Sequence, residues 1–162
     1  MPEVICDTSP LQYLHQLRLL HILPALAGRI LIPPAVLHEI EAGKAFGVDL
    51  PDVRGLEWLT VRSPAGSATR LPDQNLGPGE TDVLMLAAEC DEVVVVLDDG
   101  LARRVADRLN IPVIGTLGLL INAKHAGLVP TVREHIDRLQ VKGFRVSSLT
   151  RAAVLGLAGE AE

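Results

Sequence analysis

The chain has 162 residues, enough for one domain with a sizeable core. Hydrophobic residues make up 48% but aromatic residues only 2%, so the core must be aliphatic, and a platform of rings for stacking bases is argued against. With a net charge of −5, any nucleic-acid contact must rest on local basic residues or on cations.

Val4–Cys6 reads as a short strand. Thr8 or Ser9 is placed to cap a helix with Pro10 in its first turn, and Leu11, Leu14, Leu17 and Leu20 give that helix an apolar stripe. "GRILIPP" (28–34) is a second strand stopped by two prolines, and "AVLHEIEAG" (35–43) a helix ending at Gly43. From Ala45 to Pro78 the chain is rich in Pro, Gly, Asp and Ser and reads as irregular connection around an isolated strand, Glu57–Val61. A helix opens near Gly79 in "LGPGETDVLMLAAEC". The clearest strand lies in "EVVVVLDDG" (Glu92–Gly100), whose unbroken β-branched run implies cover on both faces, as in a parallel sheet. "LARRVADRLN" is a helix, Ile111–Gly115 a short strand, and helices follow from Thr116 and within "TVREHIDRLQVKG". Phe144–Val146 reads as an edge strand and Ser148–Leu157 as a last helix. This alternation predicts an α/β fold, a three-layer α/β/α sandwich around a mostly parallel sheet. It spans 1–162 as a single domain, with 45–78 as an irregular insertion and 143–162 as a strand–helix extension.

A lone buried carboxylate is costly. Asp7 nevertheless ends the first strand, and Asp98 and Asp99 end the run Val93–Leu97. Open parallel sheets bind ligands at the carboxyl ends of their strands, so neighbouring strands would bring these acids together. Strand side chains alternate, so one of Asp98 and Asp99 faces the crevice squarely. Glu80 shares the inward helical face of Val83 and Leu84, with Asp82 expected toward solvent. Glu39 borders the stripe of Val36 and Ile40, and Glu41 points away. Asp7, Glu39, Glu80 and Asp98 or Asp99 are thus candidates for one cluster. Clustered carboxylates raise each other's pKa values. A hard divalent cation such as Mg²⁺ relieves that repulsion, activates water and neutralises a phosphodiester. Each acid alone has an ordinary reading: a helix cap for Asp7, a first-turn acid for Glu80, a surface residue for Glu39, and an ion pair with Arg103 for Asp99. Their joint placement favours the cluster.

Other chemistries lack their residues. Cys6 and Cys90 form no Cys-x-x-Cys pair, which argues against a disulfide framework or a zinc site. "CDTSPL" stands where a dinucleotide fold needs Gly-x-Gly-x-x-Gly, and Ser9 stands where a haloacid-type phosphatase needs a second Asp. No Gly-x-Ser-x-Gly elbow exists, and His15, His21, His38, His125 and His135 have no metal-ligand spacing. No leader or membrane-length apolar run is visible, so a soluble cytoplasmic protein is expected.

The motifs "ICDTSPL", "PPAVLHEI", "LGPGETDVLMLA", "VVLDDGLARRVA" and "PVIGTLGLLINAKHAGLV" follow one another along nearly the whole chain. Together with the ending "GFRVSSLTRAAVLGLAGE" they resemble PIN-domain nucleases, most of all a toxin-like subfamily related to VapC-type toxins of toxin–antitoxin pairs. The resemblance implies that Asp7, Glu39, Glu80 and Asp99 are the first to fourth catalytic acids, with Asp98 a neighbour. Asp7, Asp99, Glu80 and Asp98 would serve the metal, with Thr8 or Ser9 assisting. Arg103 would hold phosphate or orient Asp99. Many relatives carry Asp where this chain has Glu80. The resemblance further implies the sheet order 3-2-1-4-5, Mg²⁺- or Mn²⁺-dependent cleavage of RNA, a homodimer and an antitoxin partner. Arg18, Lys44, Arg70, Arg103, Arg104 and Lys124 are candidates for a basic rim. The competing readings are a DNA nuclease of the 5′ or flap type and a PIN scaffold that binds RNA or protein without cutting.

Overall fold

The computed structural model describes residues 2–66 and 75–161 and builds one sheet from five short strands. These are β1 (Glu3–Cys6), β2 (Ile30–Ile32), β3 (Leu59–Val61), β4 (Val93–Val96) and β5 (Val113–Ile114). Their order is β3-β2-β1-β4-β5 and all neighbours run parallel. The expected order is therefore the observed one. Cys6 pairs with Val96 across β1 and β4, so the residues that follow both strands emerge side by side. That is the switch point of the sheet, where open α/β folds place their ligands.

Helices flank the sheet in an α/β/α sandwich: α1 (Thr8–Gln16), α2 (Ile22–Ala27), α3 (Pro34–Ala45), α4 (Pro78–Ala88), α5 (Gly100–Arg108), α6 (Thr116–His125), α7 (Arg133–Val141) and α8 (Ser148–Leu157). The core is aliphatic, as the composition demands. Ile5 and Val95 of the central strands lie with Leu11 and Leu14 of α1, Val36 and Ile40 of α3, and Leu84 of α4, all without solvent exposure. None of the helices among the described residues is long and apolar enough to cross a membrane.

Several local expectations are corrected. Asp7, not Thr8 or Ser9, is the N-cap residue of α1. That helix stops at Gln16, so Leu20 lies beyond it. α2 was not anticipated; with six residues it is too short to show a helical period. α3 runs through Gly43, whose place is set by packing: a Cβ there would lie 2.6 Å from Leu50 Cδ1. The left-handed turn falls instead at Gly47, with φ of +86°. Glu57 and Trp58 form a turn ahead of β3. A short 3₁₀ turn, Val53–Gly55, breaks the connection that was read as irregular. Phe144–Val146 joins no strand; the Phe144 ring packs edge-on against Tyr13 with centroids 5.1 Å apart. Arg70 lies outside the described residues.

Leu14→Ala removes a fully buried side chain and is expected to lower unfolding free energy by about 3 kcal/mol in a urea titration. Leu149→Ala, at a position 83% exposed, is expected to change it by less than about 0.5 kcal/mol.

Candidate active site

β1 delivers Asp7 to the carboxyl end of the sheet, where its backbone N–H donates to the Val96 carbonyl at 3.0 Å. Its side chain is only 6% exposed, and its Oδ1 is buried with no hydrogen-bond partner. Burial pushes its pKa up to about 6; the Thr8 N–H works the other way, and Glu39, Asp98 and Asp99 add repulsion. Glu39, on α3, is tied at both oxygens. Thr8 Oγ1 donates to Oε2 at 2.8 Å and the Gly79 N–H donates to Oε1 at 2.7 Å. Glu39 thus binds the N-terminus of α4 from a neighbouring helix, where amide donors favour an anion. Gly79 must be glycine for this, because a Cβ there would overlap the Glu39 carboxylate.

Glu80 follows in the first turn of α4. Its Oε2 is buried and unpartnered. Burial raises its pKa to about 7, with further contributions from Asp99, whose carboxyl it meets in a hydrogen bond, and from Asp7. Asp99 caps α5, its Oδ2 accepting from the Ala102 N–H at 3.0 Å. Asp98 turns toward α6 and accepts from the Thr116 N–H at 2.8 Å and from Thr116 Oγ1 at 2.6 Å. Burial still pushes its pKa upward, against these donors and Arg103. Gly115 makes room, since a Cβ there would stand 2.9 Å from Asp98 Oδ1 and 2.7 Å from Arg103 Nη1.

The family model DUF3368, PIN domain, matches residues 3–160. The chain belongs to the PIN-domain family. PIN domains are nucleases in general, and PIN nucleases generally use divalent metal ions. No curated protein matches the sequence.

The predicted acids lie close enough to act on one another as charges: Asp7 is coupled to Glu39, Asp98 and Asp99, and Glu80 to Asp99 and Asp7. Among the described residues no three acidic, histidine or cysteine side chains form a ready metal-binding group. The physical reason is visible in the hydrogen bonds, because Glu39 and Asp98 are drawn to amides and hydroxyls on opposite sides. What fits a cation is the pair of unpartnered buried oxygens on Asp7 and Glu80, with Asp99 beside them. An all-carboxylate set suits a hard ion.

Three other placements differ from expectation. Arg103 does not orient the Asp99 side chain; its Nη1 donates to the Leu97 carbonyl at 3.0 Å, on the Asp98 side. Asp82 is half-buried, and burial and Glu39 raise its pKa. Of the two hydroxyls after Asp7, Thr8 holds Glu39, while Ser9 makes no side-chain hydrogen bond among the described residues. Gly79, Gly115 and Thr116 were missed as site residues. The turn "GT" ahead of α6 and the "PG" at the start of α4 were their only signals.

Asp7 and Glu80 bind protons more tightly folded than unfolded. Their protonated forms stabilise the fold fully below the ordinary values of 3.8 and 4.5, and that contribution is lost as pH rises through about 6 and about 7. In EDTA, wild type should therefore lose about 1.5 kcal/mol between pH 5 and pH 8 through Asp7 alone. Urea unfolding of Asp7→Asn should show that slope reduced; an identical slope would remove Asp7 as its source.

Proposed function

We propose that the protein is a metal-dependent endoribonuclease of the toxin-like PIN group. The observation that carries this reading is the pair of buried, unpartnered carboxylate oxygens, Asp7 Oδ1 and Glu80 Oε2, at the switch point of a PIN sheet. Leaving such atoms unpaired is costly, and a cation supplies the missing partner. Asp7, Glu80 and Asp99 would hold Mg²⁺ or Mn²⁺, which when bound lowers the pKa of a coordinated water and offsets phosphate charge. The remaining residues set the frame. Thr8 and Gly79 fix Glu39, and Glu39 fixes the start of α4 that carries Glu80. Thr116 holds Asp98, and Arg103 presents a cation on the same side for the substrate phosphate. In the hydrolysis, the water oxygen bonds to phosphorus as the bond from phosphorus to a ribose oxygen breaks; one water proton passes to a carboxylate or solvent, and the leaving ribose oxygen takes up a proton from solvent.

RNA as substrate, restraint by an antitoxin, and pairing into a homodimer are supported by the likeness of the motifs from "ICDTSPL" to "GFRVSSLTRAAVLGLAGE" to toxin-like PIN proteins. Purified protein incubated with a mixed RNA pool is expected to cut in Mg²⁺ or Mn²⁺ and to stop in EDTA. Asp7→Asn is expected to lower that rate about a hundredfold or more. Inactivity of wild type in every metal, with RNA or a protein partner still bound, would overturn the nuclease in favour of a scaffold. Cutting of DNA alone would overturn the ribonuclease.

A further inference from the structure

A cavity of about 420 Å³ opens beside Asp98, on the β5 side of the acid cluster, and of the residues in the proposed chemistry only Asp98 and Arg103 reach it. It lies over the carboxyl end of the edge strand β5, between α5, α6 and α8. Its apolar side is aliphatic: Ile114, Leu117 and Val154. Its polar side carries Arg103 from α5 and Thr150 from α8. Arg103 uses Nη1 on the Leu97 carbonyl, and its other N–H groups make no protein hydrogen bond among the described residues. Thr150 Oγ1 accepts from Ser147 Oγ at 2.9 Å, which leaves its own proton to donate outward. Asp98 also lines the cavity and shares the charge of Arg103, but both its oxygens already accept from Thr116.

An apolar wall with a few convergent polar groups, at this size, is the usual form of a small-molecule subsite. A guanidinium at one end suits a phosphate, and a flat aliphatic wall with a hydroxyl donor suits a heterocyclic base. We infer that this cavity is a nucleotide subsite, which seats one nucleotide of the substrate strand next to the scissile phosphate. The phosphate would meet Arg103, and the base would lie against Ile114, Leu117 and Val154 within reach of Thr150. With so few aromatic residues in the chain, the base packs on aliphatic side chains rather than stacking on rings. The inference rests on the nuclease reading and adds to it a place where base preference would arise.

The test uses the four ribonucleoside 5′-monophosphates as probes, in EDTA, with amide shifts of the full chain recorded by NMR. At least one probe is expected to move the Gly118 and Thr150 amides together and saturably. Arg103→Ala should weaken that binding about tenfold, by removing a charge-assisted contact. Thr150→Trp, a change at an exposed position, should block it, while Leu149→Ala on the outer side of α8 should leave it unchanged. No shift with any probe, shifts located elsewhere, or full binding in both variants would overturn the subsite. RNA cutting by wild type without nucleotide shifts would defeat the subsite and leave the nuclease. Nucleotide shifts at these amides without cutting in any metal would do the reverse.

Discussion

The structure depends on one constraint: a carboxylate, Asp7, is buried at the end of the central strand among other carboxylates. It follows β1, which is paired in register with β4, and only 6% of the residue is exposed. Water cannot stabilise its charge there, so the surrounding elements must do so.

They do so mainly through helix N-termini. Asp7 stands at the N-cap position of α1 without a side-chain cap hydrogen bond, Glu39 accepts from the Gly79 amide of α4, Asp99 caps α5, and Asp98 binds the first residue of α6. Each helix end offers unpaired N–H groups and a partial positive charge. Four helices are thus aimed at one patch of the sheet, and two glycines, Gly79 and Gly115, give the carboxylates room to reach the backbone. The compensation is uneven. Glu39 and Asp98 have both oxygens bonded, whereas Asp7 and Glu80 each keep one oxygen without a partner. The uncompensated charge is therefore concentrated on Asp7 and Glu80, which is where the proposed cation would sit.

Much of this was legible in the sequence because the strong signals are long-range in origin but local in form. An unbroken β-branched run such as Val93–Val96, followed by turn residues, reads as a buried strand, and acids at the ends of two neighbouring parallel strands emerge side by side. The sheet order needed the family resemblance as well. The parts that escaped are those set by tertiary contact. Thr116 is an ordinary residue until α6 is docked beside Asp98. Arg103 sits four residues after Asp99, which suggests a helical ion pair, yet the guanidinium turns to the Leu97 carbonyl. Asp82 looks solvent-facing on an isolated helix, but Glu39 on α3 stands beside it. Phe144 has the neighbours of a strand residue and is drawn off instead by the ring of Tyr13.

On the proposed reading, a divalent cation completes the buried acids. The most direct test is calorimetric titration of Mn²⁺ into the metal-free protein at pH 6, in two buffers of different ionisation heat. With Asp7 and Glu80 partly protonated at that pH, saturable binding with net proton release is expected, and loss of both in Asp7→Asn. Absent binding, or undiminished binding and proton release in Asp7→Asn, would contradict it.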